Sequence, residues 1–450
     1  MVAKINRLTA FVLCCLVGTV CFIKQAVASG ITLISDAETQ NYLVAVVRPL
    51  FQAAGVPFNA NNIFIVNDNS LNAFVSDGNY MFINTGTILN AENTNELAGI
   101  LAHETGHIMG GHIVRQKIKL ENMQYVMLGS VLAAGAAAVS TGRGDAAMAV
   151  LLGAQSSALN SIMHYQVQEE RSADESAVKL LNKTQQSTQG LKNFMRKIKK
   201  QYALSGIEEN PYFRTHPLTT ERISHFEESS KNNHYPQQSP LDGKLKLVQA
   251  KLAGFLWDEN KVHRLYPNKD NSAAGQYARS ILNFREGKIN EALFLADSLI
   301  KSQPQNPYFY ELKGQFLFES GKVNESVAAY EQSLKLLPNN HILQASLAHV
   351  LLESSGAKQN VRRIINLLQQ SLISYKDAFS WQLLARAYDL NNDKASSLYA
   401  AAEYNYAIGN LEMAKIHLDN AAKKSKNKAL SLKIADLKER VKADMKDRPY

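Results

Sequence analysis

The second half of the chain repeats itself every 34 residues, and this period limits its fold more than any other feature of the sequence. Gly287 to Ala292 (GKINEA) returns as Gly321 to Ser326 (GKVNES), and Pro304 returns as Pro338 with the same shift. A unit this short cannot bury an apolar face by itself, so neighbouring copies must stack. The sequence therefore predicts a solenoid of paired helices.

A period of 34 residues with two helices per unit is the tetratricopeptide pattern. Gly356 follows with one extra residue, and Gly409 to Ala414 (GNLEMA) repeats the signature near the end. We expect roughly four or five units in a domain that spans residues 271–440, with an irregular last unit. The concave face of such a solenoid holds peptides or partner proteins and performs no chemistry itself.

The first 28 residues predict an export signal. Lys4 and Arg7 precede an uncharged apolar run from Leu8 to Ile23, and Ala26 to Ala28 supplies small residues where a signal peptidase would cut. An uncleaved anchor is the alternative, but this run is shorter than the roughly twenty residues that a membrane span needs. We therefore expect an exported chain.

All three cysteines, Cys14, Cys15 and Cys21, lie inside this segment. The mature chain would therefore contain no thiol, which excludes cysteine nucleophiles, thiolate metal sites and disulfides. Any metal site must be built from imidazole and carboxylate groups. Cleavage would also remove three basic residues and no acidic one, so that the net charge would fall from +9 to +6.

One local basic cluster stands out from this mild charge. It consists of Lys192, Arg196, Lys197, Lys199 and Lys200. Such a run is usually a solvated helix face, and it lacks the interleaved ladder of aromatic residues that nucleic-acid binding would require. We expect no nucleic-acid partner; a weak, peripheral attraction to anionic membrane surfaces is the alternative.

The region between the signal and the repeats predicts an α+β domain over residues 29–265. Apolar residues from Asp36 to Ala54 recur at helical spacing, and Gly55 ends that helix. Ile63 to Val66 and Tyr80 to Ile83 predict strands separated by turn residues. A small sheet followed by long helices indicates a predominantly helical α+β fold.

Residues Val126 to Ala158 are rich in Ala, Gly, Leu and Met. Thr141 to Asp145 divides this segment into two pieces that are each too short to cross a bilayer. We expect a pair of packed helices with a turn between them. The alternative is a hydrophobic lid or a hairpin that dips into a membrane beside the active site.

The stretch His103-Glu104-Thr105-Gly106-His107 carries the chemistry. Asn93 caps the helix that contains it, with Glu96 as the reciprocal capping partner. Two imidazoles one helical turn apart can both reach one zinc ion at about 2.0–2.1 Å. Glu104 is rotated off that line, where it can act as the general base on a metal-activated water.

The third ligand distinguishes classes of zinc peptidase. His112 lies one position before the histidine that the metzincin pattern requires, and one residue turns a side chain by about 100° around a helix. His112 is therefore predicted either to contact a metal ligand without binding the metal itself or to lie on the surface. Glu170 and Asp174 share a helix face, so that one can bind zinc while the other hydrogen-bonds a ligand imidazole.

These two motifs resemble the CAAX-prenyl-protease/HtpX superfamily of gluzincin-type metallopeptidases. The resemblance implies one zinc ion per chain on His103, His107 and Glu170, with Asp174 as the supporting acid and Glu104 as the catalytic base. It implies a substrate-binding edge strand at Asn72, Ala73 and Phe74. It also implies a His-Pro motif at Thr215, His216 and Pro217, followed by Arg222, in which His216 can approach the zinc and hold the enzyme latent.

The signal, the metal motifs and the repeats together resemble a periplasmic branch of this superfamily. The resemblance implies a zinc endopeptidase that cleaves misfolded or stalled envelope (outer-membrane) proteins, whose repeats recruit these clients or the outer-membrane assembly machinery. The alternative is a chaperone-like scaffold for outer-membrane protein assembly in which the protease is latent. Glu104 is intact, and a purely structural metal site would not need it.

Overall fold

The computed structural model describes residues 32–119, 130–131, 133–134, 144–205, 216, 220–231 and 233–446. The predicted export signal lies outside these residues. So do Thr215 and Pro217 of the His-Pro motif and most of the apolar segment between Val126 and Arg143.

A four-stranded sheet forms one wall of the N-terminal half. Its strands are β1 (Leu33–Ile34), β2 (Ile63–Val66), β3 (Ala73–Ser76) and β4 (Tyr80–Asn84), and their spatial order is β1-β2-β4-β3. β2 and β4 run parallel and occupy the ranges that the sequence predicts, while the other two pairs are antiparallel. β3 is therefore an edge strand within the described part of the chain.

Helix α1 (Ala37–Ala54) covers one face of this sheet. The Asp36 carboxylate accepts a hydrogen bond from the Thr39 N–H at its start, and Gly55 ends it with a φ of +70°. Glycine adopts this left-handed conformation without the steric cost that a Cβ would add. The helix buries the apolar stripe that the spacing predicts, namely Tyr42, Leu43, Val46, Val47, Leu50 and Phe51.

The described part of the N-terminal half contains six further helices of six or more residues. They are α2 (Thr85–Asn90), α3 (Thr94–Gly110), α4 (residues 112–119), α5 (Gly144–Lys183), α6 (Gln189–Ser205) and α7 (Thr220–Lys231). α3 is the central helix, buried at every residue from Thr94 to His107 between α1, α5 and α6. The Asn93 side chain caps it as predicted, although Glu96 accepts its reciprocal hydrogen bond from Glu92 N–H.

The apolar segment Val126 to Ala158 ends inside α5, which runs without a break for 40 residues. Its last part is therefore the beginning of one long helix. None of the helices in the described ranges is long and apolar enough to cross a membrane. On α6, Arg196 pairs with Glu227 at 2.7 Å and Lys197 with Glu96 at 2.8 Å, so that acidic neighbours neutralise part of the basic cluster.

Paired helices make up the rest of the chain. After α8 (Asp242–Leu256) and α9 (Glu259–Leu265) they run in the order α10 (Ala273–Arg285), α11 (Ile289–Ser302), α12 (Pro307–Glu319), α13 (Val323–Leu336), α14 (His341–Glu353), α15 (Ala357–Ser374), α16 (Ala378–Leu390), α17 (Lys394–Ala407), α18 (Leu411–Lys424) and α19 (Lys428–Lys446). The predicted helical solenoid and the predominantly helical α+β fold class are confirmed.

The repeated glycines make the tight turns between helices. Gly287, Gly321 and Gly409 have φ angles of +76°, +79° and +77°. Gly356 differs, because its φ is −91° and the turn before α15 is made without a left-handed residue. Pro304 and Pro338 each follow the end of a helix by two residues, as the repeat predicts.

Helix α8 packs against both halves. Leu245, Val248 and Leu252 belong to the core of the N-terminal half, whereas Ala250 belongs to the core of the first repeats. Because α8 and α9 lie between two cores, the boundaries predicted at residues 265 and 271 stay a prediction.

Candidate metal centre

His103 and His107 project from the same face of α3. Their Nε2 atoms lie 3.1 Å apart, and the imidazoles are 1 % and 7 % exposed. The helical repeat of 3.6 residues brings side chains four positions apart to one side of a helix. Glu104 is completely buried beside them.

Glu170 reaches the two imidazoles from α5. Its Oε2 lies 3.3 Å from His103 Nε2, and its Oε1 lies 3.2 Å from His107 Nε2. The two helices can approach this closely because Gly106 has no side chain. A Cβ at position 106 would lie 2.8 Å from the backbone oxygen of Ala173, so the contact between Gly106 and Ala173 brings the ligands of the two helices together.

His216 completes the group. Its Nδ1 lies 3.3 Å from His103 Nε2 and 3.0 Å from Glu170 Oε1. Its other ring nitrogen, Nε2, lies 3.5 Å from Glu104 Oε1. The same imidazole therefore faces both the ligand atoms and the carboxylate that the sequence predicts as the base.

The spacing of these atoms fits one tetrahedral metal ion. Ligand atoms at 2.0–2.1 Å from such an ion stand about 3.3–3.4 Å apart, and the five distances between ligand atoms given above are 3.0–3.3 Å. One ligand atom from each of His103, His107, Glu170 and His216 lies within 4.8 Å of the others. These four residues can hold a metal ion.

One other group of three ligand atoms occurs within the described residues, at Glu259, His263 and Glu286. It is more exposed than the first group, and Lys288 pairs with Glu286 at 2.7 Å. The ammonium group of Lys288 therefore already neutralises one of the two carboxylates of this group.

Asp174 and Arg222 lie behind the ligands. Asp174 Oδ1 is 2.8 Å from His103 Nδ1, the nitrogen that faces away from the other ligands. Arg222 holds both carboxylates, with Nε 2.6 Å from Asp174 Oδ2 and Nη1 2.8 Å from Glu170 Oε2. A ligand histidine held in this way keeps a fixed ring orientation and tautomer.

The charges of the centre favour a cation among the imidazoles. Burial lowers the pKa of His103, but hydrogen bonds to Asp174 and Glu170 outweigh it and raise that pKa to about 10. Burial would raise the pKa of Glu170, but His216 and His103 hold it well below its usual range. The carboxylates therefore stabilise positive charge at this position.

Glu104 has a different environment. Burial raises its pKa to about 7, against the lowering influence of His107 and His103. Neither of its carboxylate oxygens has a hydrogen-bond partner within the described residues. A buried acceptor without a partner is costly, which is a feature of groups that bind or react with something from outside.

His112 lies directly behind His107. α3 ends at Gly110, and the left-handed Gly111 (φ +65°) turns the chain so that His112 starts α4 and folds back. Its Nδ1 is 2.9 Å from His107 Nδ1, and the side chain is 2 % exposed. The alternative of a surface position is therefore wrong, because α3 ends at Gly110 and the turn at Gly111 folds His112 back towards His107.

The edge strand borders the same centre. Ala73 and Phe74 lie on β3, and Asn72 directly precedes it with its backbone bonded to Thr87. Phe74 lines a cavity of about 200 Å³ together with Glu104 and His107. An extended chain along β3 would therefore pass the two side chains that the sequence predicts as base and ligand.

The sequence matches the family model described as Peptidase family M48 over residues 37–230. Residues 37–230 form a peptidase family M48 domain. The chain is accordingly a metalloprotease, and the resemblance drawn from its motifs is confirmed. The M48 domain contains all four residues of the metal group and Glu104.

Similarity to curated proteins extends beyond the M48 domain into the repeats. The "Beta-barrel assembly-enhancing protease" of Yersinia pestis is 24 % identical over 90 % of this chain and 83 % of that protein. The protein of the same name from Escherichia coli (strain K12) is 24 % identical over 88 % and 81 %. A "Putative beta-barrel assembly-enhancing protease" of Vibrio cholerae is 27 % identical over 82 % and 77 %.

The structure brings several residues of the M48 domain to the metal centre for which the sequence predicts no role. The sequence shows Arg222 only as a residue that follows the His-Pro motif and does not predict its contacts with Asp174 and Glu170. Glu169, which Arg115 holds at 2.7 Å, is adjacent to Glu170 but 3.7 Å from His112. No spacing within one helix predicts these contacts, because they join α4, α5 and α7.

Proposed function

We propose that this metalloprotease is an exported zinc endopeptidase that hydrolyses misfolded or stalled outer-membrane proteins. One observation carries the proposal. The imidazoles of His103, His107 and His216 converge with Glu170 on one buried point, while the adjacent Glu104 has no hydrogen-bond partner within the described residues.

His103, His107 and Glu170 would hold the zinc, which is the metal that imidazole and carboxylate ligands in a tetrahedral arrangement favour. Bound zinc supplies a Lewis acid at neutral pH. Glu104 takes a proton from the attacking water, and its raised pKa suits a group that must accept and release a proton near neutrality. Asp174, fixed by Arg222, keeps the His103 ring in its orientation.

The substrate would bind as an additional strand along β3. Its backbone would pair with the edge that runs from Ala73 to Ser76, a mode that accepts many sequences because it uses main-chain hydrogen bonds. Phe74 would contact side chains near the scissile bond from the wall of the catalytic cavity. An unfolded chain meets this requirement better than a folded one.

The proposed client class rests on the relatives and on the architecture. Three curated relatives bear names that describe proteases of β-barrel assembly, and their similarity to this chain spans both halves. A periplasmic location follows from the export signal predicted at residues 1–28. The repeats would recruit clients or assembly machinery on their concave face.

The experiment is a degradation assay on the purified mature chain. An unfolded outer-membrane β-barrel protein and casein are each incubated with the enzyme, with and without a zinc chelator. The proposal predicts cleavage that the chelator abolishes and that added zinc restores. Cleavage that survives complete removal of the metal would reject it.

A latent scaffold is the second candidate function, and His216 favours it. His216 would supply a fourth ligand atom, and it lies 3.5 Å from Glu104, where substrate and water must enter. We expect His216→Ala to cleave casein faster than the parent chain. A slower variant would show that His216 takes a positive part in catalysis.

A further inference from the structure

His112 is a buried histidine beside the metal centre for which the proposed mechanism has no use. It faces the back of His107, with the two Nδ1 atoms 2.9 Å apart. His107 directs its other nitrogen, Nε2, towards His103 and Glu170 at 3.1 and 3.2 Å. The two rings therefore form a chain in which only His107 reaches the ligand group.

The chemistry of a ligand imidazole determines the direction of this hydrogen bond. A neutral imidazole that offers the lone pair of Nε2 to a metal carries its proton on Nδ1. His107 Nδ1–H must then donate, and His112 Nδ1 must accept. His112 in turn carries its own proton on Nε2.

The partner of His107 differs from that of His103. The Nδ1 of His103 faces the carboxylate of Asp174 at 2.8 Å, whereas the Nδ1 of His107 faces a neutral ring. Such partners fix the orientation of a ligand histidine and raise its basicity, and a carboxylate does so more strongly than an imidazole. The centre therefore has one strongly and one weakly supported imidazole.

The turn between α3 and α4 places the His112 ring against His107. The left-handed Gly111 reverses the chain, and Gly110 leaves room for the ring because a Cβ there would lie 2.2 Å from His112 Nε2. Arg115 pairs with Glu169 at 2.7 Å and keeps that carboxylate beyond hydrogen-bond distance of His112 Nδ1, at 3.7 Å. Two consecutive glycines are thus needed for one histidine position.

We propose that His112 is a positioning residue, which accepts the hydrogen bond of His107 Nδ1–H and thereby fixes the tautomer and orientation that present His107 Nε2 to the metal. The proposal rests on the zinc site described under the proposed function. Gly110 contributes to the same arrangement, because the absence of a side chain at this position leaves room for the His112 ring.

The test compares His112→Ala and His112→Asn with the parent chain. Zinc affinity is measured by competition with a chelating dye, and the ligand geometry by the absorption spectrum of the cobalt(II)-substituted protein. We expect His112→Ala to bind zinc about 10–100-fold more weakly and to shift the cobalt bands. His112→Asn, whose amide oxygen can accept near the position of Nδ1, should recover most of the affinity.

A second variant reaches the same contact without changing either histidine. Gly110→Ala should weaken zinc binding in the same direction, because its Cβ displaces the His112 ring. Gly243→Ala is the matched control, since a Cβ there meets nothing within 4 Å. His234→Ala removes an exposed histidine that belongs to neither group of ligand atoms and should leave zinc affinity unchanged.

Parental zinc affinity and cobalt spectrum in His112→Ala and Gly110→Ala would overturn the proposal. A raised KM with unchanged metal binding would also overturn it, because His112 lines the catalytic cavity and would then be a substrate contact. A parent chain that binds no zinc would instead reject the proposed metal site itself. Circular dichroism on each variant establishes that it is folded before the affinities are compared.

Discussion

Two places among the described residues gather three carboxylates around one buried cation. At the metal centre these groups are Glu104, Glu170 and Asp174 with Arg222. Between the two halves of the chain they are Asp36, Glu38 and Glu311 with Lys251. Formally each cluster carries two uncompensated negative charges, yet only the first also brings together ligand atoms that can hold a metal ion.

In the cluster around Lys251, other side chains of the protein and a bound proton compensate the negative charge. The Tyr277 hydroxyl donates a hydrogen bond to Glu38 at 2.7 Å, and Lys251 contacts all three carboxylates. Burial raises the pKa of Glu38 to about 7, with Lys251 opposing the rise. Uptake of a proton by Glu38 therefore removes one of the two excess negative charges.

The metal centre differs in its imidazoles. Three ring nitrogens and a carboxylate oxygen face one point there, whereas no imidazole belongs to the Lys251 cluster. A divalent cation would balance the two negative charges and occupy these lone pairs at once. The comparison shows that convergent lone pairs, more than an excess of buried charge, distinguish a metal site.

The largest effect should follow from changing the base of the metal centre. We expect Glu104→Gln to lose about 10²–10⁴-fold in the rate of casein cleavage while it keeps its zinc, because the amide cannot accept the proton. His107→Ala should lose both cleavage and zinc. A Gln variant that cleaves at the parental rate would show that Glu104 is not the base.

Removing the cation of the other cluster should affect stability and leave the metal site alone. We expect Lys251→Met to lower the free energy of unfolding by about 3 kcal/mol at pH 8, because the buried Glu38 and the partly buried Asp36 and Glu311 lose the cation that contacts all three. Urea unfolding measures this, with the exposed Lys246→Met on the same helix as control. Unchanged stability, or loss of zinc, would contradict the division between the two clusters.

Removal of the metal should lower the thermal stability that the metal centre contributes and leave the contribution of the Lys251 cluster unchanged. A ligand at 100-fold excess over its Kd stabilises a folded protein by about 2.7 kcal/mol. We therefore expect the Tm of the parent chain and of Lys251→Met to fall by similar amounts, about 5–10 °C, on adding a chelator. The Tm of His107→Ala should not respond.

The smallest effect concerns the pH dependence of Glu38. Its pKa of about 7 lies above its unfolded value, so the folded chain binds more protons than the unfolded chain between about pH 4.5 and 7. Stability from this group is present at low pH and is lost as the pH rises through this window. Glu38→Gln should therefore gain about 1 kcal/mol per pH unit over the parent between pH 5 and 7.

Urea unfolding at pH 5, 6, 7 and 8 measures this gain, with the exposed Glu291→Gln as control. A constant difference between the Glu38→Gln and parent chains at all four values would contradict it. Lys251, Asp36, Glu311 and Tyr277 face this carboxyl group, and none of them changes in the variant.

The sequence predicted most of the fold because its signals are local. Helical spacing, the Asn93 cap and the 34-residue period each depend on residues close together in the chain. β1 was missed, since two residues cannot show a period. The role of Gly356 also differs from the pattern, because the extra residue before it changes the turn.

The sequence predicts a ligand set whose residues the structure brings together, but it did not predict the surroundings of these residues. Each of the two motifs that contain His103, His107 and Glu170 lies within one helix, and the family resemblance joins the two motifs. The contacts of Arg222 and His112 depend on how α4, α5 and α7 pack, and on a helix end at Gly110 that leaves His112 free to fold back. Only the three-dimensional arrangement shows which residues hydrogen-bond or pair with the predicted ligands.

The zinc content of purified variants tests the central claim most directly. The parent chain and Glu104→Gln should each contain one zinc ion per chain, while His107→Ala and Glu170→Gln should contain much less than one. A parent chain purified and reloaded with zinc that still binds none, or full zinc in His107→Ala and Glu170→Gln, would contradict the account.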